Sequence, residues 1–335
     1  MQKAKIVITN QCFPETLALL SPHADVTINH NIEPWPYDEV LGRCADADAV
    51  MAFMTDKIDA DFIAACPNLR VIGAALKGFD NIDVEAATGA GIWVTIVPDL
   101  LTAPTAELAI GLLLAVSRKI PQADAQIRSD GFKGWRPTHY GRGLAGETVG
   151  VVGFGCVGQA IAQRLSGFSC EILAYDTNPE ASPPSEISSL RMTDLSEVVT
   201  RSAYVILALP LLPSTLGIFD EKLISLMPRG SFLINPARGS LVDEASVSGA
   251  IARGQLAGYA ADVFEFEDWA RDDRPMEIHP LLRADTQRTV LTPHLGSAVE
   301  SVRREIELSA AKSILQALRG DVPDFAINRP ALSQI

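Results

Sequence analysis

A glycine-rich turn between an apolar run and a helix-forming run constrains this chain more than any other feature. The turn reads Gly153-Phe-Gly155-Cys-Val-Gly158, the apolar run is residues 148–152, and the helix-compatible segment is residues 159–165. In a strand, turn and helix of this kind, the first glycine permits the tight turn, the second lets a pyrophosphate approach the backbone, and the third lets the helix pack on its strand. Because a helix N-terminus favours anions, the sequence predicts a dinucleotide-binding unit with contacts at Gly153, Gly155 and Gly158.

An acidic residue stands where the next strand of such a unit would end. Asp176 lies eighteen positions after Gly158, and a carboxylate there can accept hydrogen bonds from both ribose hydroxyls of the dinucleotide. It would repel the 2′-phosphate of NADP, and residues 177–180 include no Arg or Lys to compensate. The sequence therefore favours NAD over NADP, with a solvated strand-end residue as the alternative interpretation of Asp176.

The alternation of strands and helices extends along the whole chain. The first hundred residues contain predicted strands at 5–9, 49–53, 71–75 and 93–96, separated by helical stretches, as in a parallel α/β sheet. A second series supplies six predicted strands, at 148–152, 171–175, 204–208, 231–235, 258–261 and 289–291. We therefore predict an α/β fold with two Rossmann-like domains: a smaller, discontinuous, flavodoxin-like substrate (catalytic) domain of residues 1–100 and 298–335, and a doubly wound NAD-binding domain of residues 101–297.

The composition argues against several kinds of partner. The 335 residues carry 41 acidic and 28 basic side chains, a formal net charge of −13, without a Lys/Arg-rich stripe, which argues against nucleic acid. The most apolar stretch, residues 108–116, is too short to cross a bilayer and is expected to be a buried helix. Five scattered cysteines without a CxxC pair predict reduced thiols and no metal site. The N-terminal apolar run is too brief for a secretory signal, so we expect a cytoplasmic protein without a membrane partner.

Three short runs late in the chain each contribute one residue suited to acid, base or anion-holding chemistry. They are Asn235-Pro-Ala-Arg238-Gly-Ser240, Asp262-Val-Phe-Glu265-Phe-Glu267 and Thr292-Pro-His294-Leu-Gly296. The guanidinium of Arg238 can hold an anion in a fork of donors, and the imidazole of His294 can exchange a proton near neutral pH. A carboxylate from the middle run can set the tautomer of that imidazole. Together with the dinucleotide site, the runs predict a hydride-transferring dehydrogenase.

With its motifs in this order, the chain resembles the D-isomer-specific 2-hydroxyacid dehydrogenase family over essentially its whole length. Residues 235–244, 258–265 and 292–294 carry the resemblance. It implies a homodimer in which Arg238 holds the substrate anion and Glu267 orients His294, the acid/base, with Glu265 close enough to be the alternative partner. It also implies further cofactor contacts, at Cys156, Val157, Ala208, Leu209, Pro210, Pro236, Ala237, Arg238, Asp262 and His294.

A lysine in the first domain makes the chain most similar to the phosphite-oxidising members of that family, the phosphonate (phosphite) dehydrogenases. The loop after the predicted strand 71–75 reads Leu76-Lys77-Gly78-Phe79-Asp80-Asn81, where hydroxyacid relatives usually present small residues and backbone amides. Phosphite is compact and carries up to two negative charges, so a second cation facing Arg238 has a physical reason. We therefore expect NAD-dependent oxidation of phosphite to phosphate. The expected substrate contacts are Met54, Lys77, Gly78, Trp135, Tyr140, Arg238, Trp269 and Arg303.

Alternatives stay open from the sequence alone. If Lys77 is only a surface lysine, the same three catalytic residues fit an NAD-dependent dehydrogenase of a D-2-hydroxyacid such as glycerate or lactate. Side chains of the type of Met54 and Trp135 are more often core residues than ligand contacts, and Arg303, beside Arg304, can lie on a solvated helical face. A non-catalytic NAD-sensing regulator is the third alternative, because a fold does not guarantee an activity.

Overall fold

The computed structural model describes residues 3–97, 99–178, 180–181 and 187–331, and its internal contacts divide the chain into two units. The first unit is Met1–Leu101, Trp269–Asp272 and Val299–Ile335, and the second is Thr102–Asp268 and Asp273–Ala298. The segment Trp269–Asp272 was not expected in the first unit. Four residues inside a loop carry no periodic pattern from which the sequence could assign them.

The first unit contains a sheet of five parallel strands. They are β1 (Ala4–Ile8), β2 (Ala24–Ile28), β3 (Ala49–Ala52), β4 (Val71–Ala74) and β5 (Trp93–Thr95), in the order β2-β1-β3-β4-β5. This is the flavodoxin-like order that the sequence predicted for this domain. The helices of the unit are α1 (Pro14–Leu20), α2 (Tyr37–Cys44), α3 (Ala60–Ala65), α4 (Val84–Gly89) and α12 (Glu300–Arg319).

The second unit contains a sheet of seven parallel strands. They are β6 (Thr148–Val152), β7 (Glu171–Tyr175), β8 (Leu190–Met192), β9 (Tyr204–Leu207), β10 (Ser231–Asn235), β11 (Leu256–Ala261) and β12 (Thr289–Leu291), in the order β12-β11-β10-β9-β6-β7-β8. The order reverses between β6 and β9, as in a doubly wound Rossmann sheet, so the predicted fold class is confirmed. The helices are α5 (Thr102–Ser117), α6 (Ile120–Asp130), α7 (Cys156–Leu165), α8 (Leu195–Arg201), α9 (Glu221–Ser225), α10 (Glu244–Ala252) and α11 (Pro280–Ala284).

Helix α5 contains the most apolar stretch of the chain and lies in the core of the second unit. Ala106, Ala109, Leu112 and Leu113 are buried there, in the same apolar cluster as residues of β6 and β9. With the turn before it, the helical segment Asp99–Ser117 has 19 residues and is long and apolar enough to cross a membrane. The helical segment is therefore longer than the nine-residue stretch on which the sequence argument was based, and five of those nine residues are buried, as expected for a core helix.

Close packing of β4 against α12 joins two distant chain segments of the first unit. A Cβ atom on Gly73 would lie 2.4 Å from Cγ1 of Ile314 and 3.3 Å from the carbonyl oxygen of Ala310. Both α12 residues are buried. Only a residue without a side chain therefore allows the helix to approach the strand so closely.

We expect Gly73→Ala to lower the free energy of unfolding by about 1–3 kcal/mol, because the new methyl group overpacks this contact. The matched control is Gly42→Ala on the exposed side of α2, where no described atom lies within 4 Å of the added Cβ. That control should raise the stability by about 0.4–1 kcal/mol. Urea unfolding of both variants measures the difference, and equal midpoints would contradict the packing described.

Candidate active site

The glycine-rich turn connects β6 to α7 with the geometry that a dinucleotide requires. Gly153 has a φ of 97°, and a Cβ on it would lie 2.5 Å from the carbonyl oxygen of Ala208, while a Cβ on Gly158 would lie 2.1 Å from that of Gly153. Around Gly155, in contrast, no described atom lies within 4 Å of the Cβ position. Helix α7 begins at Cys156 with no side-chain cap. The turn therefore leaves open space and first-turn amides for a pyrophosphate.

The carboxylate of Asp176 is fixed beside this turn at the end of β7. Its Oδ2 accepts a hydrogen bond of 2.6 Å from the amide of Phe154, and its Oδ1 accepts one of 2.8 Å from the amide of Asn178. Each carboxylate oxygen has a second lone pair, so both can still accept bonds from ribose hydroxyls. The open turn, the uncapped helix and this carboxylate together fit a dinucleotide.

The other predicted cofactor contacts lie around the same turn or farther along the sheet. Cys156 is exposed and Val157 half-buried at the start of α7. Ala208 touches the glycine turn through its backbone, Leu209 is buried in the apolar core, and Pro210 is exposed. Because the Leu209 side chain is used in the core, any contact it makes with a cofactor would be through its backbone.

Arg238, Glu267 and His294 follow three neighbouring strands of the second unit. Arg238 comes after β10, Glu267 after β11 and His294 after β12, and these strands lie side by side in the sheet. The carboxyl ends of parallel strands meet at one edge of a sheet, which is where ligands bind in open α/β folds. The topology therefore brings to one edge three residues that are far apart in sequence.

The imidazole of His294 is paired with Glu267. Its Nδ1 lies 3.0 Å from Oε2 of Glu267, and Oε1 of Glu267 accepts a 2.8 Å hydrogen bond from the amide of Phe264. Both carboxylate oxygens are therefore held, and the pairing favours the proton on Nδ1 and leaves Nε2 for chemistry. Glu265 is used elsewhere, because its amide donates to Glu244 and its carboxylate accepts from the Glu244 amide. Of the two glutamates considered from the sequence, the structure brings Glu267 to the imidazole.

His294 lies in a strained turn that is held by Asp262. Its φ of 53° falls in the left-handed region that side-chain-bearing residues rarely adopt. Oδ1 of Asp262 accepts from Thr292 Oγ1 at 2.6 Å and from the Leu295 amide at 2.7 Å, and Oδ2 accepts from the Gly296 amide at 2.8 Å. Burial raises the pKa of Asp262, and these hydrogen bonds oppose that effect. Contact of Asp262 with the cofactor stays a prediction, and its role in holding this turn was missed in the sequence.

The turn of Arg238 is closed by the side chain of Asn235. Nδ2 of Asn235 donates to the carbonyl oxygen of Arg238 at 2.8 Å, and its Oδ1 accepts from the Ala237 amide at 3.1 Å. The guanidinium is half-buried, and its NH1 donates to the carbonyl oxygen of Ala237 at 2.8 Å. The first residue of the Asn235 run therefore fixes the backbone that presents the cation.

This turn packs directly on the segment that carries Glu267. A Cβ on Gly239 would lie 1.9 Å from the carbonyl carbon of Phe264, so only glycine fits. The amide of Ser240 donates to Oδ2 of the buried Asp268 at 2.7 Å. Sequence reasoning missed Asp268, whose only signal was its position next to Glu267.

In the first unit, Lys77 lies in the loop after β4 and pairs with Asp99. The ammonium is 3.1 Å from Oδ1 of Asp99, with the two side chains 34% and 73% exposed. An ion pair this exposed contributes about 0–1 kcal/mol. An anion could therefore replace Asp99 as the partner of Lys77 at a small cost in free energy. Asp99 is the second residue that the sequence did not predict.

Arg303 reaches the same loop from α12. Its NH1 donates to the carbonyl oxygen of Ala75 at 3.2 Å, and its guanidinium carbon lies 5.6 Å from the centre of the Phe53 ring. Burial lowers the pKa of Arg303, and Glu307 opposes that effect. The alternative of a solvated helical face therefore applies to neighbouring Arg304, which pairs with Glu15 and Glu300, and not to Arg303.

The remaining predicted substrate residues are divided between the two units. Met54, Gly78 and Trp269 are half-buried in the first unit, with Lys77 and Arg303. Trp135 and Tyr140 belong to the second unit and are 75% and 70% exposed, and their contact with the substrate stays a prediction. The predicted clamp between Lys77 and Arg238 draws on both units and stays a prediction.

Comparison with known proteins gives one consistent family. Residues 110–296 match the family described as D-isomer specific 2-hydroxyacid dehydrogenase, NAD binding domain. A protein named glyoxylate reductase from Thermofilum pendens is 37% identical over 336 residues, covering 99% of this chain and 96% of the relative. One of the same name from Thermococcus litoralis is 34% identical over 336 residues, covering 99% and 98%.

Solved structures agree with these sequence matches. The crystal structure of the TT0316 protein from Thermus thermophilus has a TM-score of 0.87 and 31% identity, covering 97% of this chain and 100% of that one.

The relatives from Thermofilum and Thermococcus are both named glyoxylate reductase and not phosphonate dehydrogenase. The comparisons therefore favour the hydroxyacid alternative over the phosphite expectation.

We expect Asp176→Ala to lower the preference for NADH over NADPH by about tenfold, because a charged hydrogen-bond acceptor is lost and the repulsion of the 2′-phosphate disappears. Fluorescence titration with the two cofactors measures the ratio. Asp194→Asn is the control, because Asp194 caps α8 in the same unit and asparagine caps helices equally well. An unchanged ratio in Asp176→Ala would exclude contact with the ribose.

We expect Glu267→Gln to lower kcat by about 10²-fold or more, with a smaller change in KM, because the imidazole loses the charge that orients it and stabilises its protonated form. Glu265→Gln is the matched control, two positions away and engaged with Glu244. Its kcat should stay within a few-fold of the wild type. Steady-state rates that fall equally in both variants would contradict the assigned pairing.

Proposed function

The chain is an NAD-dependent dehydrogenase that belongs to the D-isomer specific 2-hydroxyacid dehydrogenase family, and we propose that it interconverts a small 2-hydroxyacid and the corresponding 2-oxoacid, with glyoxylate as the first substrate to test. The proposal rests on the pairing of His294 with Glu267, which lies at the same edge of the sheet as Arg238 in the NAD-binding unit. The names of the relatives support glyoxylate as the substrate.

Arg238, His294 and Glu267 would each have a different role in this reaction. Bound NAD supplies the hydride acceptor in one direction and the donor in the other. Arg238 would hold the carboxylate of the acid through charge-assisted hydrogen bonds. Nε2 of His294 would accept the hydroxyl proton during oxidation and return it to the carbonyl oxygen during reduction, while Glu267 stabilises the imidazolium formed in between.

Oxidation of phosphite to phosphate is the second candidate, and Lys77 is the observation that favours it. A 2-hydroxyacid carries one carboxylate, whereas phosphite carries up to two negative charges, and Lys77 and Arg303 supply two cations to the loop after β4. In this reaction His294 would take a proton from the attacking water, and NAD would supply the hydride acceptor. The names of the relatives do not support this narrower assignment.

A panel of substrates followed by NADH absorbance separates the candidates. The proposal predicts NADH oxidation with glyoxylate and no NADH formation with phosphite, and the reverse result would establish the second candidate. Lys77→Ala should remove phosphite turnover if that activity exists, but raise KM for glyoxylate by about tenfold or less. Lys312→Ala is the matched control, because Lys312 is an exposed lysine on α12 and its substitution removes the same charge. NADH binding without turnover of any tested anion would instead support the NAD-sensing regulator.

The homodimer expected from the family also stays a proposal. Apolar side chains on α6 and the loop after it are exposed in the single chain, including Ile127 at 52%, Phe132 at 73% and Trp135 at 75%. A surface of this kind is typical of a protein interface. A second copy of the chain is therefore the partner we propose for it.

A further inference from the structure

A buried polar cluster lies beneath the two loops of the first unit that carry Met54 and Lys77. It consists of Thr9, Asp56 and Asn81, which are 0%, 4% and 7% exposed. The three residues follow β1, β3 and β4, which are neighbours in the sheet. The proposed mechanism gives none of them a role.

Asp56 ties the loop after β3 to the end of β1. Its Oδ2 accepts a hydrogen bond from Oγ1 of Thr9 at 2.5 Å and one from the amide of Phe53 at 2.7 Å. The amide of Asp56 donates in turn to the carbonyl oxygen of Phe53 at 3.2 Å. Met54 and Thr55 therefore form a short loop whose two ends are fastened by one carboxylate.

Asn81 ties this loop to the one that carries Lys77. Its Nδ2 donates to the carbonyl oxygens of Phe53 at 3.1 Å and of Asp56 at 2.8 Å, which uses both hydrogens of the amide group. The backbone carbonyl oxygen of Asn81 accepts from the amide of Ile58 at 2.9 Å. Loss of this side chain would remove the two side-chain hydrogen bonds between the loops and leave the backbone bond to Ile58 in place.

The charge on Asp56 is costly where it lies. Burial raises the pKa of Asp56 to about 6, against the hydrogen bonds from Phe53 and Thr9. The adjacent Lys57 pairs instead with Asp59 and Asp272, and the thiol of Cys44 on α2, which also faces Asp56, carries no positive charge. No cation among the described residues pairs with Asp56. Its carboxylate therefore stabilises the loop through the hydrogen bonds that it accepts.

We propose that Asp56 and Asn81 are a positioning pair that holds the loop of Met54 and the loop of Lys77 in one arrangement, and that this arrangement sets the affinity for the anionic group of the substrate. The pair acts through the backbone of both loops, without touching the substrate. The identity of the anion rests on the proposed function, whereas the coupling of the two loops does not.

Steady-state kinetics of the full-length enzyme test the effect on affinity. With the substrate that the panel identifies, Asp56→Ala and Asn81→Ala should each raise KM by about tenfold and leave kcat within about twofold. Asp56→Asn should restore KM to within about threefold, because asparagine keeps an acceptor oxygen. The double variant should raise KM by less than the product of the two single effects, since both substitutions loosen the same loop, residues 53–56. Unchanged KM in the single variants of an active enzyme would overturn the proposal.

The control separates positioning from general destabilisation. Asp83→Ala removes the N-cap of α4 in the same unit, where the Asp83 side chain accepts from the amide of Ala86, and it keeps the backbone hydrogen bond from the Asp83 amide to Ile58. It should lower stability and leave KM unchanged. A rise in KM equal to that of Asp56→Ala would show that any loss of stability has the same effect, and would overturn the proposal.

Amide hydrogen exchange of the full-length protein tests the coupling without any substrate. Asp56→Ala and Asn81→Ala should each increase exchange in both segments, 53–56 and 76–81, whereas Asp83→Ala should increase it only near the start of α4. Increased exchange confined to the loop that carries the substitution would overturn the coupling. If the wild type turns over no anion in the panel, the proposed function fails, and the exchange result still decides whether the loops are coupled.

Discussion

The hydrogen bond between His294 and Glu267 is the interaction on which the candidate active site depends. It fixes which ring nitrogen carries the proton. Further hydrogen bonds hold both partners: the amide of Phe264 binds Glu267, and Asp262 holds the turn of His294. The buried Asp262 holds a backbone conformation that would otherwise be unfavourable. The imidazole of His294 is therefore held in one orientation.

Parallel topology explains why this set can exist in one place. Arg238, Glu267 and His294 are separated by loops and helices in the chain, yet β10, β11 and β12 end at the same edge of the sheet. The glycine turn after β6 belongs to that edge too, so cofactor and acid/base share it. The same principle operates in the first unit, where the ends of β1, β3 and β4 gather Thr9, Asp56 and Asn81.

Anion binding by this chain has to be local. The formal net charge is −13, so the overall field of the protein does not attract a negatively charged cofactor or substrate. Solvent ions screen that field over about 10 Å. In the proposed function the attraction comes from short-range groups: the uncapped amides of α7, the half-buried guanidinium of Arg238, and the cations Lys77 and Arg303. Lys77, with its exposed partner Asp99, is the residue on which the second candidate function depends.

The sequence by itself determined the two parallel sheets, the dinucleotide turn and the three catalytic candidates, because these features depend on local spacing and on apolar runs buried on both faces. It missed β2 and β8, which are edge strands whose apolar runs are interrupted by the exposed Asp25 and Arg191. Only the tertiary structure decided between Glu267 and Glu265, and only it found Asp268 and the partners of Asp56. Apart from the bond of Asp56 to the Phe53 amide three positions away, their contacts join residues 21–47 positions apart, and no local pattern encodes which distant donor a carboxylate will meet.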